Sequence, residues 1–426
     1  METATLSRHE AADLEIMAGK YFQPRMPITN KQLFAGRWPE ITKLADVINQ
    51  PGLHAIIYGE RGVGKTSLAN VIGPVIQYAF DNTPDDEDPQ RTVTKEIAQS
   101  TDTFTTIWRR FFDEMQWVSN KPSFGLRQSV SGDTQSVSES FNLSHKIGVN
   151  DVRRVLSQIP GSVFVIDEFD RAVDAISGEF TDLIKSLSDF GVDCTIILVG
   201  VSNTVDALIR DHASIGRSLV QVRLPRMKRD DLAEILKKAK EALDIEFSPT
   251  ANNIIVQVSQ GFPHYTHLLG REAVRLAARR LSRSVQRVDV IGALKNAVND
   301  AQHSVTDAFL KAISSTQQNT LYKHVLLACA FTAATKVDRL GYFNAASITD
   351  PLRRITGKDI PVTTFYRHLQ SFCGEQRGAV LERTGLAKGY RYRFSDPLLI
   401  PYVFMEAVAN DSIADESLMQ LLASEF

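Results

Sequence analysis

The sequence is poor in cysteine and has no long hydrophobic run, and both absences limit what the protein can be. Its 426 residues include three cysteines, Cys194, Cys329 and Cys373, which are far apart and show no C-x-x-C spacing. This pattern argues against a disulfide framework or a structural zinc site and favours a reducing compartment. No stretch approaches about 18 uninterrupted apolar residues, and residues 1–20 are too polar for a signal peptide. We therefore expect a cytoplasmic protein with no membrane association.

A large excess of charge of one sign is also missing. The chain has 48 Lys and Arg against 50 Asp and Glu, a formal net charge of −2. This balance excludes a histone-like polycation, so any nucleic-acid surface must be a local patch. No internal repeat and no nuclease, protease or deaminase constellation is visible. The hydrophobic fraction of 43% is sufficient for a packed core, and the length predicts two or three domains.

The strongest motif is a glycine-rich segment that matches the phosphate-binding pattern G-x-x-x-x-G-K-[ST] at every fixed position. An apolar run at 54–58 predicts a strand before it, and the residues after Thr66 predict a helix, so backbone N–H groups would face phosphate. Lys65 would bring positive charge to the β- and γ-phosphates, and Thr66 would offer a hydroxyl to Mg²⁺. The sequence therefore predicts a nucleoside triphosphate site formed by Gly59, Glu60, Arg61, Gly62, Val63, Gly64, Lys65, Thr66 and Ser67.

A second motif places two acids at the end of an apolar run. Residues 163–166 read Val-Phe-Val-Ile, which is typical of a strand covered on both faces. Next to a phosphate loop, the acids that follow form a Walker B pattern. Asp167 would hold Mg²⁺, directly or through water, and Glu168 would orient the attacking water. The pair of motifs favours hydrolysis of ATP over nucleotide binding alone.

Three consecutive features resemble the opening of AAA+ ATPases. They are Phe-x-Gly-Arg at residues 34–37, a Glu-containing helix after it, and the segment Tyr-Gly-Glu-x-Gly-Val-Gly-Lys-Thr. The similarity is to the replication-initiator (origin-recognition) branch and to bacterial STAND-type switch ATPases. The resemblance implies that Phe34 and Arg37 lie near adenine, although a surface turn is the alternative for Arg37. It also implies a sensor role for Asn203, for which a helix cap is the alternative.

The same resemblance implies an arginine that reaches a neighbouring subunit's nucleotide. Arg217 is our candidate for this finger, and Arg223 is a weaker rival. In the lid, initiator relatives carry a sensor arginine where this chain reads Phe-Pro-His at 262–264. His264, or alternatively Arg271, would take that role.

We expect an α/β fold: a P-loop parallel-sheet ATPase core with a helical lid, followed by a winged helix-turn-helix domain. Residues 1–30 would form an N-terminal arm, 31–226 the core with a flexible insertion at 119–146, 227–315 the lid, and 316–426 the winged-helix domain with a C-terminal helix. Winged-helix domains occur at this place in initiator-type AAA+ proteins.

Basic residues predict where nucleic acid would bind. Residues 336–400 contain 11 Lys and Arg against 6 Asp and Glu. A recognition helix at 361–372 and a basic wing at 379–394 would contact duplex DNA, although a winged helix can serve protein contacts instead. The lid helix carries a stripe of arginines, Arg271, Arg275 and Arg279, which would face phosphates, acids of another subunit, or solvent.

The sequence thus predicts a slow, regulated Mg²⁺-ATP-dependent AAA+ switch that self-associates and engages duplex DNA through residues 336–400. Two alternatives stay open. One is a signalling or anti-phage defence ATPase whose C-terminal domain docks a protein effector encoded nearby. The other is a transposition or plasmid-maintenance ATPase that coats DNA.

Overall fold

The computed structural model describes residues 5–28, 34–81, 91–118, 134–201, 213–301, 303–315, 320–338, 341–386 and 389–410. The chain divides into two compact units. The sheet unit comprises Pro27–Glu60 and Gly64–Pro225, and the helical unit comprises Met1–Met26, Arg61–Val63 and Arg226–Phe426. Our finer division into arm, core, lid and winged-helix domain stays a prediction.

The sheet unit is built on a parallel β-sheet, as the sequence predicted. Its five strands run in the order β2-β5-β6-β1-β7, all neighbours being parallel. A separate antiparallel pair joins β3 to β4. The strands of this unit are β1 (His54–Tyr58), β2 (Thr92–Ile97), β3 (Gln116–Val118), β4 (Thr134–Ser136), β5 (Ser162–Asp167), β6 (Cys194–Gly200) and β7 (Leu219–Arg223).

Helices cover the sheet because its central strands are mostly apolar. Every residue of β5 and β6 is buried, which is the pattern of parallel strands packed on both faces. Helix α1 (Arg8–Tyr21), the first in chain order, belongs to the helical unit. The helices of the sheet unit are α2 (Trp38–Ile48), α3 (Lys65–Asp81), α4 (Phe104–Glu114), α5 (Val137–Ser140), α6 (Val149–Leu156) and α7 (Val173–Asp189).

The core of the sheet unit is centred on aromatic side chains of α4. Trp108 is fully buried and packs against Phe164 of β5 and Phe180 of α7, with ring centroids 5.2 and 6.2 Å away. Thr103 caps the helix by accepting a hydrogen bond from Thr106 N–H. This aromatic helix therefore belongs to the core of the sheet unit.

The predicted insertion at 119–146 needs correction in its second half. Residues 134–136 form β4, and the next four form α5, which is capped by Ser136. Val137 is almost fully buried in the same core as Trp108. The serine-rich composition suggested a loop, but Ser136 satisfies a helix N-terminus and Val137 supplies an apolar anchor. Residues 119–133 lie outside the described residues.

The helical unit contains the segment that we predicted as lid and winged-helix domain. Its helices are α8 (Arg229–Leu243), α9 (Pro249–Ser259), α10 (Pro263–Arg279), α11 (Arg287–Asn299), α12 (His303–Ile313), α13 (Tyr322–Thr335), α14 (Thr349–Thr356), α15 (Val362–Phe372) and α16 (Leu399–Ala409). Its strands are β8 (Glu246–Phe247), β9 (Ser284–Val285), β10 (Phe343–Asn344), β11 (Leu381–Thr384) and β12 (Arg391–Phe394).

In its described residues, the C-terminal part of this unit combines four helices, α13 to α16, with a small antiparallel sheet. Strand β12 lies between β10 and β11 and pairs with both. Residues 343–344 form β10, and α14 begins only at Thr349. Tyr392 of β12 lies opposite Phe343 and is fully buried. Among the described residues, no helix combines the length and hydropathy of a membrane span.

Candidate nucleotide-binding site

The two sequence motifs meet at the carboxyl edge of the parallel sheet. The glycine-rich loop follows β1, and Asp167 ends β5. Both strands are hydrogen-bonded to β6, which lies between them. Because neighbouring strands are about 4.8 Å apart, the ends of β1 and β5 are separated by roughly 10 Å at the same edge. A crevice outside the carboxyl ends of parallel strands is where open α/β sheets bind ligands.

Glycine is required at three points of the loop. Gly62 and Gly64 have φ angles of 83° and 96°, in the left-handed region that favours glycine. At Gly59, a Cβ atom would overlap the carbonyl oxygen of Leu224, the residue after β7. The loop therefore lies against the neighbouring strand and turns tightly into α3, which begins at Lys65. This leaves a backbone cradle that added side chains would fill.

The side chains of the loop are placed as a phosphate site requires. Lys65 Nζ donates hydrogen bonds to the carbonyl oxygens of Gly59 and Glu60, at 3.0 and 2.9 Å, so the ammonium lies over the loop. Thr66 is half-buried in the first turn of α3. Ser67 Oγ accepts a hydrogen bond from the N–H of Ile28 at 3.1 Å. Arg61 is exposed and Val63 is buried.

Asp167 is buried and is held from both sides. Its Oδ1 accepts a hydrogen bond from the N–H of Glu168 at 2.9 Å. Its Oδ2 lies 2.8 Å from Nζ of Lys95, on the adjacent strand β2. Apart from this ion pair, that oxygen accepts no hydrogen bond in the described part of the chain. A carboxylate oxygen that accepts no hydrogen bond, together with a hydroxyl at the start of α3, is of the oxygen-ligand type that Mg²⁺ prefers, so these residues fit the ion.

Sequence reasoning missed Lys95. The signal was weak, because β2 reads Thr-Val-Thr-Lys-Glu-Ile and shows no clean alternation. The register decides the contact: Ile97 lies opposite Asp167, and Lys95, two residues earlier, points to the same face. The signal that could have found Lys95 is a lysine inside a predicted strand that would pair with the strand carrying Asp167.

Glu168 has an unusual backbone. Its φ of 53° and ψ of 33° lie in the left-handed region, which costs a non-glycine residue free energy and recurs at functional sites. Its carboxylate is half exposed and forms an ion pair with Arg171 at 3.0 Å. Asp170 lies in the short 3-10 helix that follows, and α7 has no side-chain cap.

Arg37 is not in a surface turn. It is 5% exposed and precedes α2 with a φ of 67°. Its Nη2 donates a hydrogen bond to the carbonyl oxygen of Pro225 at 2.6 Å, and its Nη1 lies 3.6 Å from Glu40. The guanidinium thus ties α2 to the segment after β7. Phe34 is half-buried beside it in sequence. Proximity of both residues to adenine stays a prediction.

The two arginine-finger candidates are both exposed. Arg217 ends a 3-10 helix just before β7, and Arg223 ends β7 itself, opposite Tyr58 of β1. Arg223 is therefore nearer the loop along the sheet, whereas Arg217 lies at the other end of the strand. The sensor candidate Asn203 lies outside the described residues.

His264 lies in the first turn of α10, after Pro263. Its ring donates a hydrogen bond from Nδ1 to the carbonyl oxygen of Pro24. Burial lowers the pKa of His264, so the imidazole is neutral at physiological pH. It lines a cavity of about 450 Å³ within the helical unit, together with Arg25, Tyr265 and Asp300. A neutral imidazole can donate or accept a hydrogen bond but does not replace the charge of a sensor arginine.

The arginine stripe of α10 is neutralised within the helical unit. Its cations pair with carboxylates of α1, of the segment after α8, of α10 itself and of α11. The pairs are Arg271 and Arg275 with Glu272 (both 3.0 Å), Arg279 with Glu15 (3.2 Å), Arg280 with Asp289 (2.6 Å) and Arg283 with Asp244 (3.0 Å). These ion pairs within the helical unit reduce the charge that the stripe offers to phosphate, although the side chain of Arg279 is still 58% exposed.

Comparison with known proteins identifies the family. A model described as Novel STAND NTPase 1 matches residues 24–340. The chain belongs to this family. This membership makes it a P-loop NTPase, confirms the resemblance to STAND ATPases, and agrees with the glycine loop and the Walker B acids. No curated protein sequence matches this member of the novel STAND NTPase 1 family.

Several solved structures resemble this novel STAND NTPase. The Aeropyrum pernix ORC2 protein, solved as ADPNP-ADP complexes, is 13% identical, with 95% of this chain and 98% of that chain covered and a TM-score of 0.49. The Aeropyrum pernix ORC1 protein in complex with DNA is 16% identical, with 92% and 95% covered and a TM-score of 0.41. Cdc6p from Pyrobaculum aerophilum is 12% identical, with 93% and 98% covered and a TM-score of 0.43.

Proposed function

We propose that the chain is a Mg²⁺-dependent ATPase that works as a switch between nucleotide states. The observation that supports this most directly is the shared sheet edge: the glycine loop with Lys65 and the buried carboxylate of Asp167 lie one strand apart. A triphosphate needs backbone donors, a mobile cation and an oxygen ligand for its metal. All three are present.

The loop residues would bind the phosphates and the carboxylate would hold the metal. Backbone N–H groups from Gly59 to Thr66 and the N-terminus of α3 are suited to the anion, and Lys65 to its outer phosphates. Thr66 and Asp167 would hold Mg²⁺, which supplies charge neutralisation on the phosphate oxygens. Phe34 and Arg37 would border adenine, and His264 would contact the nucleotide through a neutral imidazole.

Hydrolysis would depend on Glu168. Its left-handed backbone turns the carboxylate away from the strand, and the side chain is half exposed, so it can reach a water molecule. Its carboxylate lies 3.0 Å from Arg171 and would have to leave this ion pair to orient the attacking water. Such a pairing favours slow, regulated turnover. Asn203 would contact the γ-phosphate or the water.

Self-association would complete the site. Arg217 is exposed, and a guanidinium supplied by a neighbouring subunit can stabilise charge that develops during phosphoryl transfer. We assign the finger to Arg217 and retain Arg223, also exposed, as the rival. Nucleotide binding would thus be linked to assembly.

Duplex DNA is our first candidate partner. We interpret α13, α14, α15 and the β11–β12 hairpin as a winged helix, with α15 as its recognition helix. The exposed side of α15 carries Thr363, Thr364, Arg367 and Gln370, which are types that contact base edges and phosphates.

A protein effector is the second candidate, because the arginines around α15 are largely paired within the helical unit. Arg353 and Arg354 both pair with Asp350, at 2.7 and 3.0 Å. Arg391 pairs with Asp338 at 2.7 Å, and Arg393 pairs with Glu382. These pairs reduce the charge available for phosphate contacts and favour a signalling or defence role.

The ATPase rate, measured with and without duplex DNA across a salt series, separates the two partners. If DNA is the partner, the rate rises with DNA and the stimulation fades as salt increases. Arg367→Ala should weaken that stimulation, whereas Arg353→Ala, which removes an arginine already paired with Asp350, should have a smaller effect. An ATPase rate that does not change when DNA is added at low salt would favour a protein effector as the partner.

A further inference from the structure

The metal-binding carboxylate already has a cation beside it. Lys95 Nζ lies 2.8 Å from Asp167 Oδ2 and donates a hydrogen bond to Asn70 Oδ1 at 2.6 Å. The lysine side chain is 23% exposed and the aspartate side chain 3%. The ammonium is therefore held by one hydrogen bond and one ion pair beside a buried carboxylate.

The three residues come from three elements that converge on the proposed metal site. Lys95 is on β2, Asp167 ends β5, and Asn70 is on α3. Asn70 follows Thr66 by four residues, so both side chains lie on one face of the helix. That face is the one from which Thr66 would offer its hydroxyl to the metal. The lysine thus lies one helical turn from the second proposed metal ligand.

Burial makes such a cation necessary when no metal is bound. An ionised carboxylate out of water is costly unless it is paired. In the described residues, Asp167 Oδ2 has no hydrogen-bond donor that could replace the ammonium. In the metal-free protein, the ammonium of Lys95 therefore supplies the positive charge beside the carboxylate of Asp167.

The same pairing opposes metal binding. Two cations that share one carboxylate repel each other, and this repulsion is strong where water is scarce. A divalent cation must share Asp167 with the ammonium or displace it towards Asn70. The cation that stabilises the metal-free state therefore raises the Mg²⁺ concentration needed to fill the site.

We propose that Lys95 is a positioning residue that stands in for the metal at Asp167 and sets the Mg²⁺ requirement of nucleotide binding. This inference rests on the proposed Mg²⁺-nucleotide function. It makes the metal-free and metal-bound states two arrangements of one ion-pair network, Asn70–Lys95–Asp167.

The first test is Mg²⁺-dependent binding of a fluorescent ADP analogue to the full chain. In Lys95→Met the half-saturating Mg²⁺ concentration should fall about tenfold, because the competing charge is gone. Lys95→Arg keeps the charge and should stay within about twofold of the wild type. Lys43→Met is the matched control and should leave the Mg²⁺ dependence unchanged, since Lys43 Nζ donates a hydrogen bond to the backbone oxygen of Gln221 at 2.7 Å.

The second test uses thermal unfolding without nucleotide. In EDTA, Lys95→Met should lower the Tm by about 5 °C or more, because it leaves a buried charge unpaired. The double variant Lys95→Met/Asp167→Asn should regain most of the loss, and Mg²⁺ should partly rescue the single variant but not the double one. Lys95→Gln, which keeps a hydrogen-bond donor, replaces Lys95→Met if the latter does not fold.

The outcomes of these tests distinguish the proposed role of Lys95 from the proposed Mg²⁺-dependent ATPase function. Mg²⁺-dependent nucleotide binding with the same half-saturation in wild type and Lys95→Met would overturn the role of Lys95 and leave the ATPase proposal intact. Absence of any Mg²⁺-dependent nucleotide binding in the wild type would overturn both. An unchanged Tm in EDTA for Lys95→Met would also overturn the stand-in role.

Discussion

The backbone at Gly59 approaches Leu224 so closely that a Cβ atom at position 59 would overlap the Leu224 carbonyl oxygen. Leu224 N–H in turn donates to the carbonyl oxygen of Tyr58 at 2.7 Å. The first residue of the phosphate loop is therefore fixed against the segment after β7. The position of the loop depends on this contact as well as on its own glycines.

Gly59→Ala should displace the loop and abolish nucleotide binding, because the backbone oxygen of Leu224 cannot move without breaking the pairing of β7 with β1. Gly178→Ala is the matched control. Gly178 lies in α7 with nothing near a new Cβ, so that change should stabilise the protein by about 0.5–1 kcal/mol. Nucleotide titration and thermal unfolding of both variants test the prediction. Wild-type affinity in Gly59→Ala would contradict it.

Glu168→Gln should keep nucleotide affinity and lower the hydrolysis rate by about a hundredfold or more, because the amide cannot accept the proton of the attacking water. Asp170→Asn, two residues away in the 3-10 helix, should keep the rate within about twofold if its carboxylate has no part in the chemistry. Steady-state ATPase assays and nucleotide titrations give the two quantities. If both variants lost the same share of the ATPase rate, the loss would be explained by a disturbed fold around the 3-10 helix and not by the chemistry of Glu168.

Arg217→Ala should lose hydrolysis while keeping nucleotide binding, because its guanidinium would act on another subunit's nucleotide. Mixing Arg217→Ala with Glu168→Gln subunits should restore part of the rate, since some interfaces then contain an intact finger and an intact glutamate. The Arg223→Ala variant, tested in the same mixtures, decides between the two candidates. No recovery at any ratio would exclude a finger in trans.

The stability of the protein should fall as the pH drops below about 6.5, because of buried neutral histidines. His54 is fully buried, accepts a hydrogen bond from the Ile196 N–H at 3.0 Å, and burial lowers its pKa to about 3. Burial also lowers the pKa of His267 to about 4. The unfolded chain takes up protons below pH about 6.5 and the folded chain does not, so each histidine removes about 1.4 kcal/mol per pH unit until its folded pKa is reached.

The slope of the free energy of unfolding against pH, measured by urea denaturation between pH 7.5 and pH 5, tests this prediction. His54→Gln should reduce the slope by about one proton, whatever its effect on stability at pH 7.5. His9→Gln is the control, because His9 is largely exposed on α1. An unchanged slope in His54→Gln would show that this histidine is not held neutral by burial.

The parts of the site that could be predicted from sequence are those whose chemistry demands fixed residue types at short spacing. The glycine loop, Lys65, Thr66, Asp167 and Glu168 are of this kind, and the apolar runs of β5 and β6 marked the sheet beneath them. The aromatic spacing of α4 likewise marked a core helix. Local sequence is sufficient in each case, because the function or the burial acts within a few residues.

The features that could not be predicted are contacts between residues that are far apart in the sequence. Lys95 reaches Asp167 only through the β2–β5 register, and Arg279 is neutralised by Glu15, 264 residues earlier. The arginine stripe therefore looked like a binding surface. Similarly, residues 343–344 form a strand because β12 supplies a partner, although their sequence also fits a helix.

The central claim is that the loop binds nucleotide through Lys65, and equilibrium titration with a fluorescent ATP analogue tests it most directly. The wild type should bind in the presence of Mg²⁺, Lys65→Ala should lose binding by at least about a hundredfold, and Lys43→Ala, which removes a lysine remote from the loop in sequence, should bind as the wild type does. Tight binding retained by a folded Lys65→Ala variant would contradict the assignment of the site.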